Sequence, residues 1–188
     1  ERQQRLSENN LIFAMNYTWT RDTRENIEDN SFYRVRWKIE SAGLITNEIA
    51  KAFGVKKDTL GSYVINNVAF SQYVKAEAEY IKHWDLNSQN ILAFRSFMGI
   101  AIPYGNSTSI PFTRSYFAGG GNDNRGWQAY NLGPGSSGGV LDFNEANFKI
   151  TLNGEYRFKL VGNFYGALFV DAGNIWNVLD NITDPKST

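Results

Sequence analysis

Cysteine is absent from this chain, which excludes disulfides, thiolate catalysis and cysteine-based metal sites together. A single histidine, His83, leaves almost nothing from which to build a His-rich metal site or a His-dependent catalytic triad. Basic excess is also missing: 19 Lys and Arg balance 19 Asp and Glu, against the clustered positive charge that nucleic-acid binders carry. No run of about 18 apolar residues occurs, so no transmembrane helix is expected. The opening ERQQRLSENN lacks a signal-peptide pattern and reads as a start partway through a longer protein. What remains abundant is aromatic: ten Tyr, thirteen Phe and five Trp, with 17 Gly. A mean hydropathy of −0.41 does not oppose a membrane barrel, because alternating strands average out on such a scale.

Period-two alternation dominates the chain. In residues 11–21, Leu11, Phe13, Met15, Tyr17 and Trp19 share one face, and Ala14, Asn16, Thr18 and Thr20 the other. In residues 32–42, Tyr33, Val35, Trp37 and Ile39 oppose Arg34, Arg36, Lys38 and Glu40. Four charges in a row on one face cannot meet hydrocarbon or a dry core without partners, so they line water or a polar interior. Residues 45–60 change to roughly helical spacing through Ile45, Ile49 and Phe53, which predicts a short helix capped by Thr46. Residues 64–70 read as a short strand or an irregular lead-in.

Residues 71–84 set Val74, Ala76, Ala78, Tyr80 and Trp84 against Lys75, Glu77, Glu79 and His83. The run DLNSQN at 85–90 predicts a turn. Residues 91–102 and 148–160 alternate again, the latter with Lys149, Thr151, Asn153, Glu155, Arg157 and Lys159 on the polar side. A tight turn at 161–163 leads to a last strand over 164–170. Six strands of this length exceed the mode of about 5–6 residues in soluble sheets and match the ~9–11 needed to cross a bilayer. The fold expected is all-β, an antiparallel up-and-down meander of long amphipathic strands. A soluble or surface-exposed β-sheet binding module, for example carbohydrate-binding through its aromatics, is the alternative. Where the aromatics point discriminates the two: an outward belt means lipid, a concave cluster means ligand.

One connection is far too long for a hairpin. The stretch PFTRSYFAGGGNDNRGWQAYNLGP, residues 111–134, carries Gly119, Gly120 and Gly121 and then the triplet Arg125, Gly126 and Trp127. Its rings Phe112, Tyr116, Phe117, Trp127 and Tyr130 mark a loop that packs on something rather than a disordered one. The three glycines are not a phosphate cradle, since no Gly-Lys-Ser/Thr follows; a sharply bending backbone is the better account. Glu77 and Glu79 with Lys75 read as a salt-bridged wall rather than an acid/base pair, and no Gly-X-Ser-X-Gly occurs. No enzyme activity, cofactor or metal is expected.

These loop residues, followed by NGEYRF at 153–158 and FVDAGNIW at 169–176, resemble the BamA/TamA family of outer-membrane assembly barrels. The three motifs stand in the family's order at compatible separations. The resemblance implies a sixteen-stranded transmembrane β-barrel preceded by periplasmic POTRA domains. Residues 1–188 then correspond to a partial barrel of about six strands, roughly the eighth to thirteenth. It further implies that the loop at 103–147 folds into the lumen, with Arg125 paired to Glu155 and Asp171 on the inner wall. Strand parity independently puts both acids on the side of Arg34, Arg36 and Lys38. The implied setting is the bacterial outer membrane, with lipid, client β-barrel or other exported proteins and accessory envelope proteins as partners. Without amphiphile, open strand edges are expected to make the isolated chain self-associate.

Overall fold

A computed structural model gives the fold and describes residues 10–45, 49, 52, 54, 63–65, 68–87, 89–105, 107–137, 144–179 and 186. Six long strands form one antiparallel sheet: β1 (Ala14–Asp22), β2 (Tyr33–Ala42), β5 (Tyr73–Asn87), β6 (Asn90–Pro103), β7 (Phe148–Val161) and β8 (Phe164–Trp176). They lie in the order β1-β2-β5-β6-β7-β8, each beside its sequence neighbour in the sheet. This is an up-and-down meander, as a section of a β-barrel is built. A two-stranded hairpin, β3 (Val64–Ile65) with β4 (Val68–Ala69), occupies the β2–β5 connection. Most of the helix expected at 45–60 lies outside the described residues.

Three boundaries differ from the sequence reading by three residues or more, and the first is the start of β1 at Ala14, since Leu11 bridges Phe70 instead. Asp85, Leu86 and Asn87 continue β5 instead of turning, because Asn87 still pairs with Asn90 across the hairpin. Likewise β8 runs past Val170 to Trp176, since its ladder with β7 extends to the Phe148–Trp176 pair. Turn-forming composition yields here to a partner strand that keeps offering hydrogen bonds.

The ladder fixes what each face carries. Arg36 stands opposite Glu79, Glu79 opposite Phe97, and Phe97 opposite Thr151, so the charged registers of successive strands share one face. Glu155 (through Ala93 and His83) and Asp171 (through Asn153 and Arg95) fall on that same face. The opposite face presents Met15, Tyr17, Trp19, Trp37, Ile39, Tyr80, Met98, Leu152, Leu168 and Val170, all exposed, up to 76% for Val170.

The buried core therefore lies on the polar side of the sheet. Ala42, Tyr73, Phe97, Ala101 and Ile175 from the strands close against Ile110, Tyr116, Ala118 and Ala146 from the long β6–β7 connection. Without that connection the inner face has nothing to bury its few apolar side chains against.

Candidate functional site

The β6–β7 connection leaves the sheet after Pro103, makes a single 3-10 turn at Phe112–Arg114, and lies across the inner face before rejoining at Phe148. Its ends are tied together by paired backbone bonds between Tyr116 and Ala146, at 2.8 and 3.0 Å. Gly119 and Gly120 both have φ of 103°, a conformation in which a side chain is strained. They turn the chain back on itself, so that the Gly120 amide donates to the Trp127 carbonyl at 2.9 Å. Asp123 accepts from the Gly119 amide at 2.8 Å and meets the Lys149 ammonium of β7 at 2.9 Å. That fold-back presents Arg125 to the wall.

Arg125 reaches two carboxylates on neighbouring strands. Its Nε donates to Asp171 Oδ2 at 2.8 Å, its Nη2 to Asp171 Oδ1 at 2.7 Å, and its backbone amide to Oδ2 at 2.9 Å. Its Nη1 donates to Glu155 Oε2. The guanidinium also lies over the Phe169 ring, 3.9 Å from the centroid. Asn153 completes the arrangement by donating to Asp171 Oδ1 at 2.9 Å and to the Asp123 carbonyl at 2.7 Å. Forked bonding of this kind suits the planar guanidinium and is beyond a lysine. The bonds that Arg125 donates to Asp171, and then to Glu155, hold its proton more firmly than in a free arginine.

The structure thus brings Arg125, Glu155 and Asp171 together. The Asp171 side chain is 3% exposed and gives its carboxylate almost entirely to this loop; Glu155 also accepts from Arg157. Gly126 and Trp127 do not share the contact. Trp127 is 45% exposed, and a side chain at Gly126 would meet nothing within 4 Å. Of the three loop glycines, Gly121 is similarly open, whereas a Cβ at Gly119 would collide with the Gln128 carbonyl.

The salt-bridged wall read from Glu77, Glu79 and Lys75 is present, with Lys75 3.3 Å from Glu77, but sequence reasoning missed Glu40 and the loop contacts made there. Glu40, 2% exposed, accepts from the Tyr73 hydroxyl at 2.6 Å and pairs with Lys38 at 3.1 Å and Arg114 at 3.5 Å. Lys75 donates to the Arg114 carbonyl at 2.9 Å, and Tyr116 donates to Glu77 at 3.2 Å. The adjacent Glu79 is held by Arg36 at 3.2 Å and Arg95 at 2.8 Å. Each of these carboxylates is engaged by cations or hydroxyls of the wall and loop, the arrangement of a braced surface. The charge alternation in β2 and β5 marks the wall, but nothing in it says which loop residue each charge meets.

The exposed aromatics of the other face (Tyr17, Trp19, Trp37, Tyr80, Trp84, Tyr156 and Phe164) are spread along the long strands rather than gathered in one patch. No helix among the described residues is long and apolar enough to cross a membrane, which does not bear on crossing by strands. The family model for the Omp85 superfamily domain matches residues 2–187 of the 188. Comparison with curated proteins finds no match.

Proposed function

The chain belongs to the Omp85 superfamily, and on that premise we propose that residues 1–188 are part of an outer-membrane barrel of the BamA/TamA type. Members of the superfamily are outer-membrane proteins that assemble or translocate other proteins and are not enzymes. In the proposed reading the apolar face of the six strands contacts lipid. The loop at 103–147 sits in the lumen and is locked to the wall through Arg125, Glu155 and Asp171. Client β-barrel or other exported proteins are handled by templating, an incoming strand pairing with an exposed strand edge elsewhere in the complete barrel. The loop lock keeps the lumen side rigid while that exchange proceeds.

The observation that carries this reading is the division of chemistry between two faces of the same strands. On one side large apolar side chains stand exposed across the sheet, a contiguous face of the kind that marks a partner or membrane contact. On the other, charges are paired and a loop is pinned over them. A soluble binding module needs the reverse, a covered apolar face and an open polar one.

Circular dichroism with light-scattering mass, in plain buffer and in detergent, tests the reading. A β spectrum with a defined mass is expected only in detergent, and aggregation or self-association through the open edges in buffer. A monodisperse β monomer in buffer alone overturns it.

A further inference from the structure

The loop carries a second anchor, built on an aromatic plug instead of a forked ion pair. Tyr116 is 6% exposed and lies against Gly99 of β6. The three atoms nearest to a Cβ placed on Gly99 all belong to the Tyr116 phenol, all closer than any real contact. Gly99 lies outside the left-handed region, so its backbone does not require glycine; the seat for Tyr116 does. Around the plug, the Tyr116 hydroxyl donates to Glu77, the Lys75 ammonium stands 4.1 Å from the ring centroid, and Phe97 packs edge-on at 6.1 Å.

From this geometry we propose that Gly99 and Tyr116 form a positioning pair that holds the root of the loop on β5 and β6, independently of the Arg125 lock on β7 and β8. The loop is then braced at two points across the sheet, so that loss of the Arg125 lock leaves the root seated. Ionic contacts respond to competing charge and salt, whereas a buried ring over a glycine does not. Tyr116 and Gly99 therefore set where the loop brings Arg125 to the wall. The inference rests on the loop-lock part of the proposed function and not on its lipid-facing part.

Amide hydrogen exchange on the folded full chain separates the two anchors. The Arg125 amide, bonded to Asp171, reports the lock, and the Tyr116 and Ala146 amides, bonded to each other's carbonyls, report the root. Arg125→Ala is expected to speed exchange across 119–131 while Tyr116 and Ala146 stay slow. Gly99→Ala is expected to speed Tyr116 and Ala146 roughly tenfold or more, as overpacking does. In a Tyr116→Leu background the same glycine change is expected to add nothing, because the clashing phenol is gone. Tyr116→Leu alone, which adds no volume, is expected to loosen the root, and Tyr116→Phe to stay near the parent. Root amides that open together with the lock in Arg125→Ala overturn the proposal. Additive effects of Gly99→Ala and Tyr116→Leu overturn it as well. Slow root amides in a protein that is monomeric in plain buffer support this anchor while the membrane reading fails.

Discussion

The inner face over β7 and β8 and the inner face over β2, β5 and β6 hold the same loop by different means. On the first, one arginine is forked by two carboxylates, with three of its four bonds going to Asp171. On the second, the load is spread over Tyr116 on Gly99, Lys75 on the Arg114 carbonyl, and Glu40 among Tyr73, Lys38 and Arg114. With most bonds of the first region converging on Arg125, and Lys149 on Asp123 beside it, that contact is lost largely at one side chain. Spreading them makes one that loosens by degrees. The difference has physical consequences that substitutions can read.

The largest effect is expected at the concentrated end. Asp171→Ala removes three bonds to Arg125 and the Asn153 bond, and strands a guanidinium over Phe169 with only Glu155 left. Breaking a largely buried pair from one side costs about 3–5 kcal/mol. The expected outcome is a loop whose Arg125 amide exchanges freely and whose 119–131 segment becomes open to protease. An Asp171→Ala protein with an undisturbed loop would mean that the fork contributes little.

At the distributed end the corresponding loss is smaller. Glu40→Ala leaves the Tyr73 hydroxyl without its acceptor and Lys38 and Arg114 without their carboxylate. Tyr116, Lys75 and the Tyr116–Ala146 backbone pair remain in place, so the cost is expected at about 2–3 kcal/mol. Denaturant unfolding in detergent should show that loss, while exchange at Arg125 stays as in the parent. If Glu40→Ala frees the Arg125 amide as fully as Asp171→Ala does, the two regions are one cooperative unit and the contrast between them disappears.

Much of this arrangement is legible in the chain, and the division follows from the range of the signal. Alternation every second residue is local, so Arg34, Arg36, Lys38, Glu155 and Asp171 can be put on one face by parity alone. The strand count follows from the same pattern, and the meander from the ladder it permits. Strand ends are less legible: Asp85–Leu86–Asn87 has turn composition, and only the partner strand keeps it extended. The second anchor is not legible at all. Tyr116 and Glu77 lie 39 residues apart, and neither has a spacing or motif that points to the other. Gly99 reads as one more small inner residue until the phenol resting on it is seen. Contacts that depend on how a long loop lands are properties of packing in three dimensions, and a one-dimensional pattern does not contain them.

The smallest effect is expected where the motif is most conspicuous in the sequence. Gly126 follows the pinned arginine, yet its φ is not in the left-handed region and a Cβ there meets nothing within 4 Å. Gly119 is the opposite case, with φ of 103° and the Gln128 carbonyl in the way of any side chain. Gly126→Ala is therefore expected to change loop stability by no more than about 0.5 kcal/mol, the range of a surface substitution away from packed features. Thermal unfolding in detergent and the exchange rate at Arg125 both measure it. A substantial loss in either would show that glycine at 126 is required in another position of the loop, one in which the chain beside Arg125 passes close to a wall or partner. An unchanged protein would leave the lock to Arg125 and its two carboxylates, with Gly126 and Trp127 as the open side of the loop.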